Sequence, residues 1–290
     1  MPVLLVLWGS FAAVSKLLLA DAGGLEVLFL MFVSAAASMT VWGIFNGGLR
    51  RLVGIGARNA GRLSLHGVFL FSYYFFYILA LDLIPSVEAS MINYLFPIFI
   101  VLFAVPINGE KLTPVKIISA AVCFAGVSII ITGGKFGELK ISNMSGGLLA
   151  LGAAVSWGLF SALGKKNAAE PFVSYFFYIA VGLLLSAAAV FAAGGFSLPR
   201  FPVLAGCFWL GLSNIVLAFP IWFSVLKKSA ASSAANLSFF TPFVTLLFIA
   251  ALTDEKITAA AVIGVLVIVL GNAAEPAISA VMKRRSKKTK

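Results

Sequence analysis

The sequence predicts an all-α integral membrane protein: ten transmembrane helices forming two inverted five-helix repeats around a central cavity. Composition is the first observation behind this. Of 290 residues, 61% are hydrophobic and 11% charged, and mean hydropathy is +1.08, more apolar surface than a soluble domain hides. The second is a tandem duplication. The stretch 87–113, VEASMINYLFPIFIVLFAVPINGEKLT, is answered from Phe240 by FTPFVTLLFIAALTDEKIT, which sets Pro97 over Pro242, Glu110 over Glu255, Lys111 over Lys256, Thr113 over Thr258 and Gly126 over Gly271. Likewise WGSFAAVSK from Trp8 and WGLFSALGK from Trp157 set Phe11 over Phe160, Ala13 over Ala162 and Lys16 over Lys165. The third is the distribution of basic residues, taken up below.

Polar breaks divide the chain into spans near 2–20, 25–45, 63–82, 87–107, 114–133, 146–166, 172–193, 202–224, 231–251 and 257–276. At about 1.5 Å per residue, about 20 residues cross a hydrocarbon layer of about 30 Å. The opening run, Val3 to Ala20, lacks the basic start and small-residue cleavage site of a secretory signal, so it is expected to be a retained span with almost no tail before Trp8. Two segments look clearly extramembrane: the Gly- and Arg-rich connection from Asn46 to Arg62 and the basic tail 277–290. The repeats are therefore expected at 1–134 and 146–276. With the N-terminus in the cytoplasm, sixteen basic residues fall inside, six of them from Lys283 onward, and five outside (Lys16, Lys135, Lys140, Arg200, Lys256). Such a split favours cytoplasmic termini. The net charge of +11 thus reads as a topology signal, with anionic lipid as a weak attraction for the tail, and nucleic acid is not an expected partner. Five spans per repeat is odd, so the second repeat enters the membrane upside down, an architecture of secondary transporters with a mid-membrane site.

Helical spacing of about 100° per residue puts Ser90, Asn93, Tyr94 and Pro97 on one face of the fourth span, with Glu88 elsewhere. Pro97 has no N–H for the Asn93 carbonyl, and Pro242 none for that of Ser238. These groups fit either a polar cavity or a kinked helix satisfied by its neighbours. Glu88 reads as a coupling residue or amine attractor, or as a first-turn carboxylate on a helix capped by Ser86. In the ninth span Ser232, Ser233, Asn236 and Phe240 form a second stripe, with Asn214 and Pro220 repeating the theme in the eighth; interhelical glue is the alternative. Tyr73, Phe76, Tyr77 and Ala80 along the third span, and Trp157 in the sixth, put aromatic rings at mid-depth, away from the interfaces where Trp and Tyr usually gather. They fit cavity walls or ordinary packing.

His66, the one histidine, is expected to cap or lie at the cytoplasmic entrance of the third span. Gly126, Gly264, Gly271 and Ser119 allow close helix approach, within the chain or between chains. Cys123 and Cys207 sit in apolar runs without ligand spacing. No phosphate loop, metal spacing or nucleophile and base pair appears, so neither enzyme activity nor a cofactor is expected.

The duplicated WGxFxAxxK segments, the mid-span prolines and the GEKLT and DEKIT turns resemble the EamA family of the drug/metabolite transporter superfamily over nearly the whole chain. Within it, VEASMINYLFPIFIVLFAVPINGEK is similar to the bacterial exporters of aromatic amino acids and paraquat. The resemblance implies a ten-helix basket in the bacterial inner membrane whose cavity is lined by Tyr73, Tyr77, Tyr94 and Trp157. The expected site is Tyr73, Tyr77, Glu88, Asn93, Tyr94, Trp157, Asn214, Asn236 and Phe240. The expected partners are a small-molecule solute, such as an aromatic or other neutral amino acid, and membrane lipid. Another metabolite or a drug cation is the alternative solute, a channel or scaffold the alternative class. The chain is expected to act as a monomer, with a dimer as the alternative. Alanine at Tyr94 or Trp157 is expected to weaken aromatic transport about five- to tenfold.

Overall fold

A computed structural model describes residues 1–138, 142–252 and 258–288. Thirteen α-helices make up the described chain: α1 Pro2–Leu18, α2 Gly24–Phe45, α3 Ala57–Leu83, α4 Ser86–Asn93, α5 Phe96–Asn108, α6 Pro114–Thr132, α7 Met144–Lys166, α8 Pro171–Ala192, α9 Phe201–Gly211, α10 Ala218–Lys228, α11 Ala231–Ser238, α12 Thr241–Leu252 and α13 Ala259–Lys288. Among the described residues, eight helical stretches are long and apolar enough to cross a membrane, and shorter apolar stretches occupy Pro2–Ser15 and Ala259–Ala274. The chain is a multi-pass membrane protein.

Prolines divide this helical chain. Pro97 and Pro242 sit at the starts of α5 and α12, and each splits its span in two. The sequence suggested kinked single helices. The break is sharper because a proline ring crowds the turn before it as well as withholding an N–H, so Tyr94 and Leu95, and likewise Phe239 and Phe240, leave the helix. In the eighth span Pro220 follows a π-helical turn, Leu212–Leu217, that joins α9 to α10. Helix α4 begins after Pro85, which takes the N-cap place expected of Ser86. Helix α3 starts six residues earlier than the expected 63, carrying Arg58 and Arg62 on its first turns. That extension draws His66 well inside the helix, where it is buried against the Tyr178 hydroxyl at 3.1 Å. His66 therefore does not cap the span.

Helix packing repeats itself. Helix α3 packs on α7 and α8, α5 on α7, α1 on α12 and α9, and α2 on α8 and α9, while α6 and α13 share an extensive seam. At that seam a Cβ on Gly126 would lie 2.7 Å from the Gly264 carbonyl oxygen, one on Gly264 would lie 2.6 Å from the Gly126 oxygen, and one on Gly271 would lie 2.6 Å from Cys123 Sγ. Only glycine admits backbones this close. Ser119 Oγ donates to the Gly271 carbonyl at 2.5 Å. As numbers rise along α6 from 119 to 126, their partners fall along α13 from 271 to 264, so the two helices run antiparallel.

Candidate functional site

A cavity of about 240 Å³ lies where α1, α3, α4, α6, α7, α12 and the π-turn converge, with Phe96 of α5 at its edge. Its walls are aromatic: Trp8, Phe11, Tyr73, Tyr74, Tyr77, Tyr94, Phe96 and Trp157. The rings brace one another, Tyr73 and Trp157 at 4.8 Å between centroids and Trp8 and Trp157 at 5.6 Å edge to face. Because Trp8 and Trp157 are repeat counterparts, the duplicated tryptophans meet at one wall. Helical periodicity delivers the rest: Tyr73 and Tyr77 are four residues apart on α3, Ser90 and Asn93 share a face of α4, and Tyr94 follows in the turn just past it.

Polar atoms punctuate these walls. Tyr77 Oη and Ser90 Oγ share a hydrogen bond at 3.0 Å, and Asn214 Nδ2 donates to Ser213 Oγ at 2.8 Å. Three others are buried without a protein partner: Asn93 Oδ1, Trp157 Nε1 and Thr241 Oγ1. Their residues are 5%, 4% and 7% exposed. An unpaired buried polar group costs about 1–3 kcal/mol, so an acceptor, a donor and a hydroxyl held this way along one cavity suit a solute that supplies the missing bonds. None of the lining residues carries a formal charge.

Of the nine expected site residues, Tyr73, Tyr77, Asn93, Tyr94, Trp157 and Asn214 come together on this cavity. Glu88, Asn236 and Phe240 do not line it. Glu88 turns the other way on α4, and its carboxylate accepts the Ser142 N–H at 3.0 Å and hydroxyl at 2.8 Å. Asn236 donates to Ser119 Oγ at 2.7 Å in the α6 and α13 seam, and Phe240 packs against the buried cluster of Cys123, Val127, Ile130, Phe239 and Ile268. Sequence reasoning did not list Trp8, Phe11, Tyr74, Thr241 or Thr245. The repeat carried the missing signal, since Trp8 aligns with Trp157, and Thr241 stands before Pro242 as Phe96 stands before Pro97.

The far end of α5 carries a second cluster. Gly109, with φ of +70°, ends the helix in the left-handed region, and the Glu110 N–H returns to the Ala104 carbonyl at 3.1 Å, a closing turn that fixes Glu110 just past the helix. Its carboxylate accepts Lys165 Nζ at 2.6 Å, Lys116 Nζ at 3.5 Å and the Ala231 N–H at 2.9 and 3.1 Å. Lys165 also donates to the Ser229 carbonyl at 2.7 Å. Burial raises the Glu110 carboxyl, but the Lys165 and Ala231 donors outweigh it and hold the group below the usual carboxylate range. Its repeat counterpart, Glu255, lies outside the described residues, as do Lys256 and Lys140.

The model of the EamA-like transporter family matches residues 3–132 and again 144–273. The chain belongs to this family. It is similar to the aromatic amino acid exporter YddG of Ancylobacter novellus, 30% identical over 231 residues that cover 75% of this chain and 78% of that one. It also resembles a probable terminal-alkyne amino-acid exporter of Streptantibioticus cattleyicolor, 27% identical over 172 residues, 55% of this chain and 54% of the relative. One solved crystal structure superimposes with a TM-score of 0.81 at 26% identity, covering 93% of this chain and 94% of that one. Membership makes the chain a transporter of a small-molecule substrate, with amino acid exporters among its relatives.

Proposed function

We propose that this EamA transporter exports neutral amino acids, aromatic ones foremost, across a bacterial inner membrane by alternating access. The observation that carries the reading is the cavity: aromatic walls without formal charge, along which the Trp157 N–H, the Thr241 hydroxyl and Asn93 Oδ1 have no protein partner. A zwitterion answers all three, its carboxylate taking the Trp157 and Thr241 donors and its ammonium giving to Asn93 Oδ1. A compact ion would lose hydration that an uncharged cavity cannot offset, whereas a planar side chain gains about 0.5–1.5 kcal/mol per ring contact. Relatives named as exporters of aromatic and of terminal-alkyne amino acids favour the same class.

The transport frame in this reading is ten spans in two inverted repeats, at 1–134 and 146–276, with both termini and the tail 277–290 cytoplasmic. The antiparallel α6 and α13 support it. With the 145-residue offset from Pro97 to Pro242, the contact of Gly126 with Gly264 maps onto that of Gly271 with Ser119, as a two-fold axis in the membrane plane requires. The sixteen to five basic split supports the orientation, in which the cavity faces outward and Glu110 the cytoplasm.

Radiolabelled uptake into proteoliposomes tests the substrate class, using a panel of amino acids, a polyamine and an organic dication, with and without a pH gradient. Saturable uptake led by phenylalanine, tyrosine or tryptophan is expected. Selective uptake of the polyamine or dication would overturn the substrate assignment.

A further inference from the structure

The helix packing departs from its own symmetry where α4, α5, α11 and α12 lie. Helix α5 packs on α11, yet their repeat counterparts, α12 and α4, do not pack closely on one another. The cavity lies between that second pair, with Asn93 on α4 and Thr241 on α12. One end of the molecule is thus parted and the other closed. The closed end is the one that Glu110 ties together.

We infer that Glu110 is the gating residue of the transport cycle, a latch whose carboxylate holds the end of α5 to the end of α7 and the start of α11. Glu110 satisfies the Ala231 N–H at the N-terminus of α11, where a carboxylate also meets the positive end of the helix dipole. It grips Lys165 on α7 at the same time, and Lys165 reaches on to Ser229, so the hairpin between α10 and α11 is held from two sides. Ion pairs of this kind, with both side chains largely covered (16% and 17% exposed), are stronger than surface pairs and remain reversible once water enters. The apolar backing is made of small side chains: Ala231, Ala234 and Ala235 of α11 lie in the same buried core as Val101 and Ala104 of α5. Opening this end means withdrawing Glu110 from Ala231 and Lys165 together, after which α11 can leave α5 and the solute can reach the other side. The inference rests on the carrier reading above for its role in transport, but the latch is read from geometry without reference to any substrate.

The test is thiol labelling in nanodiscs, where both faces are accessible. Ala234 on α11, 1% exposed, becomes a cysteine reporter, with the buried Cys123 and Cys207 left in place and their background read on the parent. Glu110→Gln should raise the reporter's rate with a membrane-impermeant thiosulfonate about tenfold, the ratio that a population shift of roughly 1.4 kcal/mol gives. Lys165→Gln should act in the same direction, and Glu110→Asp, which keeps the charge, less. If Glu110→Gln fails to fold, Lys165→Gln decides alone. Rates within about twofold of the parent in both folded glutamine variants would overturn the latch, as would equal rates for Glu110→Asp and Glu110→Gln. Labelling that shifts in a protein carrying no solute leaves the latch standing and removes the carrier reading. Unchanged labelling with intact flux does the reverse.

Discussion

Replacing Trp157 by phenylalanine removes the indole N–H while leaving an aromatic ring among Trp8, Tyr73 and Phe160, at 5.6, 4.8 and 5.5 Å. Alanine is the wrong probe. Trp157 is 4% exposed and also contacts Phe219 and Trp222, so truncation opens a void costing about 3–5 kcal/mol and confounds binding with folding. In the phenylalanine variant the loss is one donor to a carboxylate. Hydrogen bonds to charged groups contribute about 1.5–3 kcal/mol, and at about 1.4 kcal/mol per decade the dissociation constant for phenylalanine should rise about ten- to a hundredfold. Equilibrium binding of labelled L-phenylalanine to purified protein measures this, with phenethylamine, which lacks the carboxylate, as the internal control. The amine's affinity should not change. Phenylalanine bound by the variant as tightly as by the parent, or equal losses for acid and amine, would refute the assignment of the Trp157 N–H to the carboxylate.

Tyr94→Ala, which removes a half-buried cavity ring, should weaken aromatic transport about five- to tenfold at subsaturating concentration and leave small aliphatic substrates nearly unchanged, as competition uptake would reveal. Glu88→Gln should leave the transport KM within about twofold while lowering the melting temperature, because its partner is Ser142 rather than the cavity; a KM change with unchanged melting contradicts this placement. Gly126→Leu should prevent a monodisperse fold, since even a Cβ there meets the Gly264 carbonyl at 2.7 Å. For pH, the folded Glu110 carboxyl lies below its ordinary value, so its contribution to stability is fully present above the unfolded carboxylate range near 4.3 and is lost as pH falls through the folded value. Labelling at Ala234→Cys, corrected for reagent chemistry, should be flat from about pH 6 to 8 and rise only in strong acid.

The spans were legible because a membrane asks little of a sequence beyond length and apolarity, and both prolines were legible as the points where those spans fail. Whether Tyr94 and Leu95 would kink or leave the helix was not, since that depends on which neighbours accept the displaced turn. The same limit divides the candidate site. Periodicity gathers Tyr73 with Tyr77 and Ser90 with Asn93, because sharing a helix face is a local property, and Tyr94 reaches the cavity from the turn beside them. It does not separate a polar side chain facing a cavity from one satisfied by a distant strand of chain: Glu88 is answered by Ser142 and Asn236 by Ser119, 54 and 117 residues away. His66 failed for the same reason, its Tyr178 partner lying 112 residues on. Trp8 and Thr241 were within reach through the duplication, which sets each over a residue that also lines the cavity.

The carrier account is tested most directly by counterflow in proteoliposomes. Vesicles loaded with unlabelled phenylalanine and diluted into a trace of labelled phenylalanine should accumulate label transiently above equilibrium, at a rate that saturates with concentration, because a cavity open to one side at a time exchanges solute for solute. Label that only equilibrates, with a rate linear in concentration, would mean that both ends open together and that the protein is a channel.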